Sequence, residues 1–409
     1  MPRLSARTHG RAAFAFIFVT VLLDMLALGI TVPVLPKLII AFRHGNQASA
    51  AMYYGLFGTV WAGMQFLWAP ALGALSDRHG RRTVILLSTL GLGLDYFIMA
   101  LAPTLAWLFV GRVISGITSS SYATGFAYVA DVTPPEHRAG KFGLLGAAFG
   151  LGFILGPAVG GILGNVNLRL PFYVAAVLSL LGTAYGWLVL PESLPPERRG
   201  PFQWRRAHPL GAMRMLSSHG ALIGLAAAAF LYRVGYGVNP ALFVIYTDYR
   251  FLWSARTVGI VLALVGVGTT LVQGGMVRPI VARFGERPTM LAGFLFGVVN
   301  CAMMGLAPTA AWFIASLPFG ALFGLTNPAL QGLMSRRVGP DAQGQLQGAV
   351  ASITGLAGII PPVLFTQTFA WSVGRTIAGM PFLLAAALLL AAGLIGDGAA
   401  RKHPAPAEA

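Results

Sequence analysis

The stretch APALGALSDRHGRRTVILLS, Ala69 to Ser88, places one acid, one histidine and three arginines between two long apolar runs. Charge is scarce elsewhere, because only 10% of the 409 residues are Asp, Glu, Lys or Arg. Hydrophobic residues make up 56% of the chain, and the mean hydropathy is +0.73. A soluble core cannot bury that much apolar surface, so lipid must be the solvent and the charged stretch must be a loop between membrane helices.

Apolar runs long enough to cross a bilayer recur along the whole chain, since a spanning helix needs roughly 20 apolar residues. The sequence therefore predicts an all-α membrane protein with twelve transmembrane helices. The predicted spans are about 13–40, 51–75, 84–102, 105–131, 140–164, 170–190, 219–247, 257–280, 288–307, 309–334, 345–370 and 375–396.

The net charge of +16 is explained by membrane topology rather than by nucleic-acid binding. With both termini in the cytoplasm, 20 Lys and Arg residues lie inside, and the six outside are Lys37, Arg43, Arg169, Arg250, Arg256 and Arg375. This asymmetry follows the positive-inside rule and predicts a multi-pass membrane protein with both termini in the cytoplasm. The first apolar run is too long for a cleaved signal peptide. The single cysteine, Cys301, excludes an intrachain disulfide and is expected to fill the core.

The chain contains an internal repeat. LAPTLAW at Leu101 to Trp107 returns as LAPTAAW at Leu306 to Trp312, which is 205 residues later. Two further matches at the same spacing are Gly80 with Gly285 and Pro157 with Pro362. Three matches at one spacing indicate that the two halves of the chain are copies of each other.

The repeat predicts two pseudo-symmetric six-helix halves, residues 1–190 and 219–409, joined by a basic cytoplasmic linker over 191–218. A duplicated bundle of this kind is the architecture of secondary transporters, whose substrate site lies at mid-membrane between the halves. The chain has no Walker pattern for ATP, which leaves a coupled ion gradient or facilitated diffusion as the driving force.

Two acids, Asp24 and Asp95, lie well inside apolar runs. A charge at that depth costs about 2.5 to 3.5 kcal/mol on insertion scales, so each is a functional candidate. Such a carboxyl group can take up and release a proton as its exposure alternates, which is the chemistry of a proton antiporter. The alternative is a neutral acid hydrogen-bonded to a neighbouring helix. Arg112, in GRVISGI, is the candidate counter-charge, either as part of the coupling or as a permanent ion pair between helices.

The charged loop resembles the signature loop of the major facilitator superfamily in Gly73, Asp77, Arg78, Gly80, Arg81 and Arg82. LLDMLALGITVPVLP in the first helix, GRVISGI in the fourth and GLGFILGPAVGG in the fifth are similar to the twelve-helix drug/proton antiporters, and within them to the tetracycline efflux proteins. The resemblance covers nearly the whole chain. It implies proton-coupled export of amphipathic drugs, with tetracyclines carried as a divalent-metal chelate, and no cofactor.

The resemblance also implies roles for individual residues. It places Arg112 against the first helix, where it would act on Asp24. At the loop, Asp77 can face the positive end of a helix in the other half while Arg81 or Arg82 pairs with Asp131. These contacts would form a latch on the cytoplasmic side. The alternative is a plain anchor of positive charges, although arginines alone would serve that purpose.

The glycine-rich face of the fifth helix is typical of exporters in the family, and it is either a packing seam or a bending seam. Its members are Gly152, Gly156, Pro157, Gly160 and Gly161. In the second half, polar side chains are candidates for lining a drug cavity. They are Gln273, Asn300, Asn327 and Arg233.

Two positions depart from the tetracycline exporters. Thr269 stands where they carry a histidine shortly before the glutamine, and the ninth helix has the acid-free GFLFGVVN where they carry an aspartate. Export of a sugar or other metabolite therefore stays an alternative. The expected partners are a small-molecule drug, protons and the lipid bilayer. The chain is expected to be a monomer. A membrane scaffold would gain nothing from the buried charges, and no catalytic constellation is present in the sequence.

Overall fold

The structure is a computed structural model that describes residues 2–119, 121–195, 197, 199, 220–338, 343–375 and 377–402. Every regular element in these ranges is a helix. We number the α-helices α1 Pro2–Thr31, α2 Leu35–Phe42, α3 Gln47–His79, α4 Arg81–Leu101, α5 Leu105–Thr118, α6 Ser121–Val132, α7 Pro135–Val166, α8 Leu170–Val189, α9 Gly220–Tyr236, α10 Val238–Phe251, α11 Ala255–Leu271, α12 Val277–Phe284, α13 Glu286–Gly305, α14 Ala310–Ala315, α15 Leu317–Leu322, α16 Thr326–Ser335, α17 Gln343–Ser372 and α18 Met380–Lys402. A π-helical turn, Val272–Met276, joins α11 to α12, and a 3₁₀ turn, Phe323–Leu325, joins α15 to α16.

Ten helical segments in the described ranges are long and apolar enough to cross a membrane. The other two predicted spans coincide with α3, which has 33 residues, and with the broken pair α5 and α6. Several predicted spans are two shorter helices in the structure; the first, for example, is interrupted after Thr31. α3 continues into the charged stretch as far as His79, and Gly80, whose φ of +100° favours glycine, separates it from α4.

The described contacts divide the chain into two compact units. The N-terminal unit consists of Met1–Phe42, Met64–His208 and Trp253–Ala263, and the C-terminal unit consists of Arg43–Gly63, Pro209–Leu252 and Leu264–Ala409. Each unit thus includes one short segment from the opposite half of the sequence. The predicted linker 191–218 lies outside the described residues except for 191–195, 197 and 199, and the predicted domain boundaries stay a prediction.

The two exchanged segments are held by close helix contacts. In the N-terminal unit, a Cβ on Gly259 of α11 would stand 3.1 Å from the carbonyl carbon of Pro157 in α7. In the C-terminal unit, a Cβ on Gly58 of α3 would stand 2.8 Å from Cβ of Pro362 in α17. Because Pro157 and Pro362 are repeat partners, the two units use the same helix of the repeat for this contact.

Each unit has a buried apolar core of its own. In the N-terminal unit, α1, α6 and α7 share a cluster that includes Phe16, Tyr128 and Leu145. In the C-terminal unit, the ring of Tyr246 lies 4.9 Å from that of Phe382, and Phe313 and Phe369 complete the cluster. These cores hold the helices that carry the candidate residues.

Candidate functional site

The N-terminal unit contains a buried ion pair between Asp95 of α4 and Arg112 of α5. The Oδ2 and Nη2 atoms are 2.9 Å apart, and the two residues are 0% and 7% exposed. The Sδ atom of Met99 lies 2.9 Å from the same Nη2 atom. Gly111 makes this approach possible, because a Cβ there would stand 2.5 Å from Oδ1 of Asp95. Apolar side chains of similar volume would be as stable at this depth, so stability alone does not explain the pair.

The ion pair that the structure shows for Arg112 is with Asp95, and the action of Arg112 on Asp24 that the resemblance implied stays a prediction. α4 and α5 are consecutive antiparallel helices joined at residues 102–104. Asp95 lies six residues before the end of α4 and Arg112 lies seven after the start of α5, so the hairpin brings them to the same depth. The signal was therefore in the sequence, as two charges almost equally far from one short turn.

Asp24 is buried in α1, with 4% of its surface exposed. The neighbouring Ala27 and Ile30 pack in one cluster with Tyr96 of α4. Tyr96 follows Asp95 directly, and it lies within electrostatic range of Asp24, Asp95 and Arg112. The structure thus brings the three predicted proton-coupling residues into one region of the N-terminal unit, with Tyr96 between the helices that carry them.

The charged loop is centred on Arg81, the first residue of α4. Its Nε atom lies 3.1 Å from Oδ2 of Asp131, and its Nη1 atom pairs with Asp77 four residues earlier. The Arg81–Asp131 contact is the one that the sequence suggested. Asp77 is 58% exposed in its side chain, and the partner that the structure shows for it, Arg81, belongs to the same unit.

Glu192 is a member of this cluster that the sequence interpretation left in the linker. Its Oε1 atom accepts hydrogen bonds from the backbone N–H groups of Arg81, Ser193 and Leu194. The carboxylate therefore sits at the N-terminal end of α4, where a helix favours negative charge. It lies where a Cβ on Gly80 would be, which makes glycine necessary there. The signal was an acid directly after the sixth apolar run.

The remaining loop residues have different surroundings. Arg82 donates from Nη2 to the carbonyl oxygen of Trp187, 2.6 Å away, and so ties α4 to α8. Arg78 is exposed at the end of α3. Gly73 has no atom within 4 Å of its Cβ position, so packing does not require a glycine there.

The glycine face of α7 packs against α1. A Cβ on Gly152 would stand 2.6 Å from Cβ of Met25, and one on Gly156 would stand 2.6 Å from Cα of Gly29. Gly160 faces the carbonyl group of Ile30 in the same way. Gly161 instead faces α11, where its Cβ position is 3.0 Å from Cα of Gly259. The motif therefore joins α7 to two helices at contact distances that only glycine allows.

We expect Gly156→Val to lower the free energy of unfolding by about 1 to 3 kcal/mol, because the added atoms would meet the backbone of α1. Gly146→Ala is the matched control in the same helix, since no atom lies within 4 Å of its Cβ position. Thermal unfolding of both variants in detergent measures the difference. Equal unfolding temperatures for Gly156→Val and wild type would show that α1 and α7 do not need this close approach.

The C-terminal unit brings three of its four predicted cavity residues to one surface. Nη2 of Arg233 in α9 donates to Oδ1 of Asn327 in α16 over 3.5 Å. Gln273 lies in the π-helical turn, and its Nε2 atom is 3.5 Å from the Cβ position of Gly324. Gly324 is three residues before Asn327. Single π-helical turns inside helices occur frequently at functional sites.

Aromatic rings border this polar surface. The ring of Phe323 lies 5.2 Å from that of Tyr232 and 6.0 Å from that of Tyr236. Tyr236 is 45% exposed, whereas Tyr232 and Phe323 are buried. The sequence interpretation expected Phe and Trp side chains here and did not single out the two tyrosines. Their spacing of four residues on α9 was the available signal.

Asn300 does not belong to this surface. It is 1% exposed in α13, and its Oδ1 atom is 3.1 Å from the Cβ position of Gly320 in α15. Asn300 is the repeat partner of Asp95, 205 residues later, which accounts for its burial between helices. Its role as a cavity residue stays a prediction.

A helical membrane bundle with a duplicated chain, a buried acid–arginine pair and a polar surface on broken helices defines a secondary transporter. The chain belongs to the Major Facilitator Superfamily, whose sequence model matches residues 17–362. The predicted fold class and family are confirmed. The chain is a multi-pass membrane protein and a transporter by family and fold.

Several known proteins are similar to this chain. The class C tetracycline resistance protein of Escherichia coli is 40% identical over 381 residues, which cover 92% of this chain and 94% of that protein. The class G tetracycline resistance protein of Vibrio anguillarum is 36% identical over 353 residues, covering 86% and 89%. The crystal structure of the human organic anion transporter MFSD10 (TETRAN) has a TM-score of 0.70 at 25% identity, covering 94% of this chain and 99% of that one.

Proposed function

We propose that this chain exports tetracycline-type drugs across a bacterial inner membrane in exchange for protons. Both termini would lie in the cytoplasm, and the chain would work as a monomer without a cofactor. The observation that carries the proposal is the buried Asp95–Arg112 pair in a chain 40% identical to a tetracycline resistance protein.

The proton side of the exchange rests on Asp95, Asp24 and Arg112. When Asp95 is ionised, the guanidinium of Arg112 balances its charge at 2.9 Å. When Asp95 takes up a proton the pair loses its attraction, and Arg112 can turn to another acceptor. Asp24 is the nearby acid on α1, since both groups lie within electrostatic range of Tyr96. Protonation can thus be coupled to a change in how α1, α4 and α5 pack.

The drug side rests on the surface of the C-terminal unit. A tetracycline is a planar fused-ring molecule with a row of oxygen atoms along one edge, and it would be carried as its divalent-metal chelate. Tyr236, which is 45% exposed, offers a ring face for the fused rings, and the buried ring of Phe323 supports it from 6.0 Å away. Arg233, Asn327 and Gln273 offer hydrogen-bond donors for the oxygen edge.

We expect Tyr236→Ala to raise the KM for drug about three- to tenfold, the loss expected for one aromatic contact, and Tyr236→Phe to leave it near wild type. Tyr173→Ala is the matched control, because Tyr173 is 36% exposed and also has a ring neighbour, Phe97 at 6.3 Å. Uptake into inverted vesicles at varied drug concentration measures KM. An unchanged KM for Tyr236→Ala would remove this ring from the drug site.

The substrate range is the part of the proposal that the sequence departures affect most. The tetracycline exporters typically carry a histidine where this chain has Thr269, and an aspartate in the ninth helix, where this chain has no acid. We therefore expect the chain to accept other amphipathic drugs besides tetracyclines. Export of a sugar or other small metabolite is the alternative within the same fold.

Drug-induced proton release from inverted membrane vesicles tests the proposal directly. The vesicles are energised, and tetracyclines, phenicols, quinolones and sugars are added separately while the internal pH is followed. Proton release with a tetracycline supports the proposal, and release with additional drugs supports the wider range. Release with sugars and with none of the drugs would overturn the proposal and favour the alternative.

A further inference from the structure

The repeat equates the charged clusters of the two units residue by residue. At the spacing of 205 residues, the partners are Arg81 with Glu286, Asp131 with Arg336, and Glu192 with Asp397. In both units the first two positions form an ion pair. Nε of Arg81 lies 3.1 Å from Asp131, and Nε of Arg336 lies 2.9 Å from Glu286. The same two positions of the repeat thus make the same contact with the charges exchanged.

The exchange alters how each pair interacts with the helices that carry it. Glu286 is in the first turn of α13 and Arg336 follows the last residue of α16, so both charges match the helix ends. Arg81 begins α4 and Asp131 lies in the last turn of α6, so both charges oppose the helix ends. Each such placement changes the equilibrium constant for forming the ion pair by about twofold to fivefold. An exposed ion pair itself contributes about as much. The Glu286–Arg336 pair is therefore favoured and the Arg81–Asp131 pair is weakened.

The partners of the two central residues also differ. Arg81 contacts two carboxylates, Asp77 and Asp131. The repeat partner of Asp77 is the neutral Ala282, and Glu286 has Arg337 as a second cation within electrostatic range. Glu286 also packs closely, because a Cβ on Gly332 of α16 would stand 2.6 Å from its Oε1 atom.

A second ion pair secures the first turn of α13. Arg287 lies 2.7 Å from Oδ1 of Asp397 in α18, and Arg401 lies 2.8 Å from the other oxygen. The repeat partner of Arg287 is Arg82, which donates to a backbone carbonyl group instead. In the C-terminal unit, α13 is thus tied to α16 and to α18 by ion pairs. In the N-terminal unit, α4 has an ion pair to α6, while its contacts to α8 and to Glu192 are made with backbone groups.

We propose that Glu286 and Arg336 form a permanent tie that holds α13 to α16 throughout the transport cycle, whereas the Arg81–Asp131 pair opens and closes during it. Both pairs position helices, but one stays closed and the other opens. We attribute this difference to the exchange of charges between the two repeats. The inference rests on the proposed transport activity.

The first test separates stability from turnover. Glu286→Gln and Arg336→Gln are expected to lower the unfolding temperature and to leave turnover per folded molecule within twofold of wild type, and Arg336→Lys is expected to restore the temperature. Asp131→Asn is expected to reduce turnover per folded molecule at least fivefold and to leave the unfolding temperature near that of wild type. Arg283→Gln is the matched control, since Arg283 is in the last turn of α12, three residues before Glu286, and lies over the ring of Phe284 at 5.4 Å. A fivefold loss of turnover in Glu286→Gln or Arg336→Gln overturns the inference.

The second test replaces the ion pair by a covalent tie, so it does not depend on how the neutral variants fold. Glu286→Cys/Arg336→Cys is made in a Cys301→Ala background and cross-linked with a short, reducible dithiol reagent. Turnover within twofold of the same protein before cross-linking supports a permanent tie. A fall that reduction reverses shows that the pair must open and overturns it. Both tests use a drug that has been shown to release protons from wild-type vesicles. If tetracycline is not a substrate, the wild-type measurement shows it, and this result is separate from the effect of the cross-link.

Discussion

Replacing Asp95 by asparagine is expected to reduce gradient-driven drug accumulation at least tenfold, down to the level set by passive exchange. Asparagine has the shape of the protonated acid but cannot release a proton, so one of the two states needed for coupling is missing. The repeat contains this substitution already, because Asn300 stands at the equivalent buried position of the second half. Asp24→Asn is expected to have the same effect through the second acid.

The measurement is drug accumulation driven by a pH gradient in proteoliposomes, compared with drug exchange without a gradient. Asp248→Asn is the matched control, because Asp248 lies in α10 and accepts a hydrogen bond from Gln47 at 2.8 Å, far from the coupling residues in the sequence. It is expected to accumulate drug like wild type. If Asp24→Asn and Asp95→Asn both accumulate drug normally, the proton is carried by other groups.

Most of the fold follows from two properties of the sequence, apolar runs of spanning length and the repeat at 205 residues. Where the structure departs from the predicted spans, a helix breaks or changes its winding inside an apolar run. The fourth predicted span is two helices, since α5 ends at Thr118 and α6 begins at Ser121. The eighth span contains a π-helical turn at Gln273, which hydropathy cannot reveal.

The candidate site was predictable to the extent that each contact lies within one loop or one hairpin. The Arg81–Asp131 contact joins the ends of neighbouring helices, and the sequence suggested it. Glu192 was missed because a backbone N–H group, which has no sequence signature, is its main partner. Asn300 was assigned to the cavity because a polar residue in an apolar run does not show which way it faces. The repeat does show it, since Asn300 is the partner of Asp95.

The two units contribute different chemistry to one proposed activity. The N-terminal unit holds its buried charges in contact with each other, at Asp95 and Arg112, and is suited to proton exchange. The C-terminal unit has at the Asp95 position the neutral Asn300 and presents aromatic rings and hydrogen-bond donors at Tyr236 and Arg233. At the repeat spacing, Asp24, Asp95 and Arg112 correspond to Ala229, Asn300 and Leu317, so the second half has none of the three proposed coupling groups at the equivalent positions.

Replacing Arg112 by alanine is expected to be more damaging than any single change at Asp95. It leaves a carboxylate that is 0% exposed without its counter-charge, which costs about 3 to 5 kcal/mol when one partner of a buried pair is removed. Folded protein should therefore fall together with export. In the double variant Asp95→Asn/Arg112→Gln both charges are gone, so the folded amount should return towards wild type.

The double variant should nevertheless stay inactive in gradient-driven accumulation, because its pair of neutral amides has no proton to exchange. Folded protein is measured by monodisperse yield and thermal unfolding in detergent, and export is measured in proteoliposomes with equal amounts of protein. Recovery of both folding and coupled export would mean that Asp95 and Arg112 are a structural pair only. Recovery of folding without export separates the cost of burying a charge from its use, and it assigns the coupling proton to this pair.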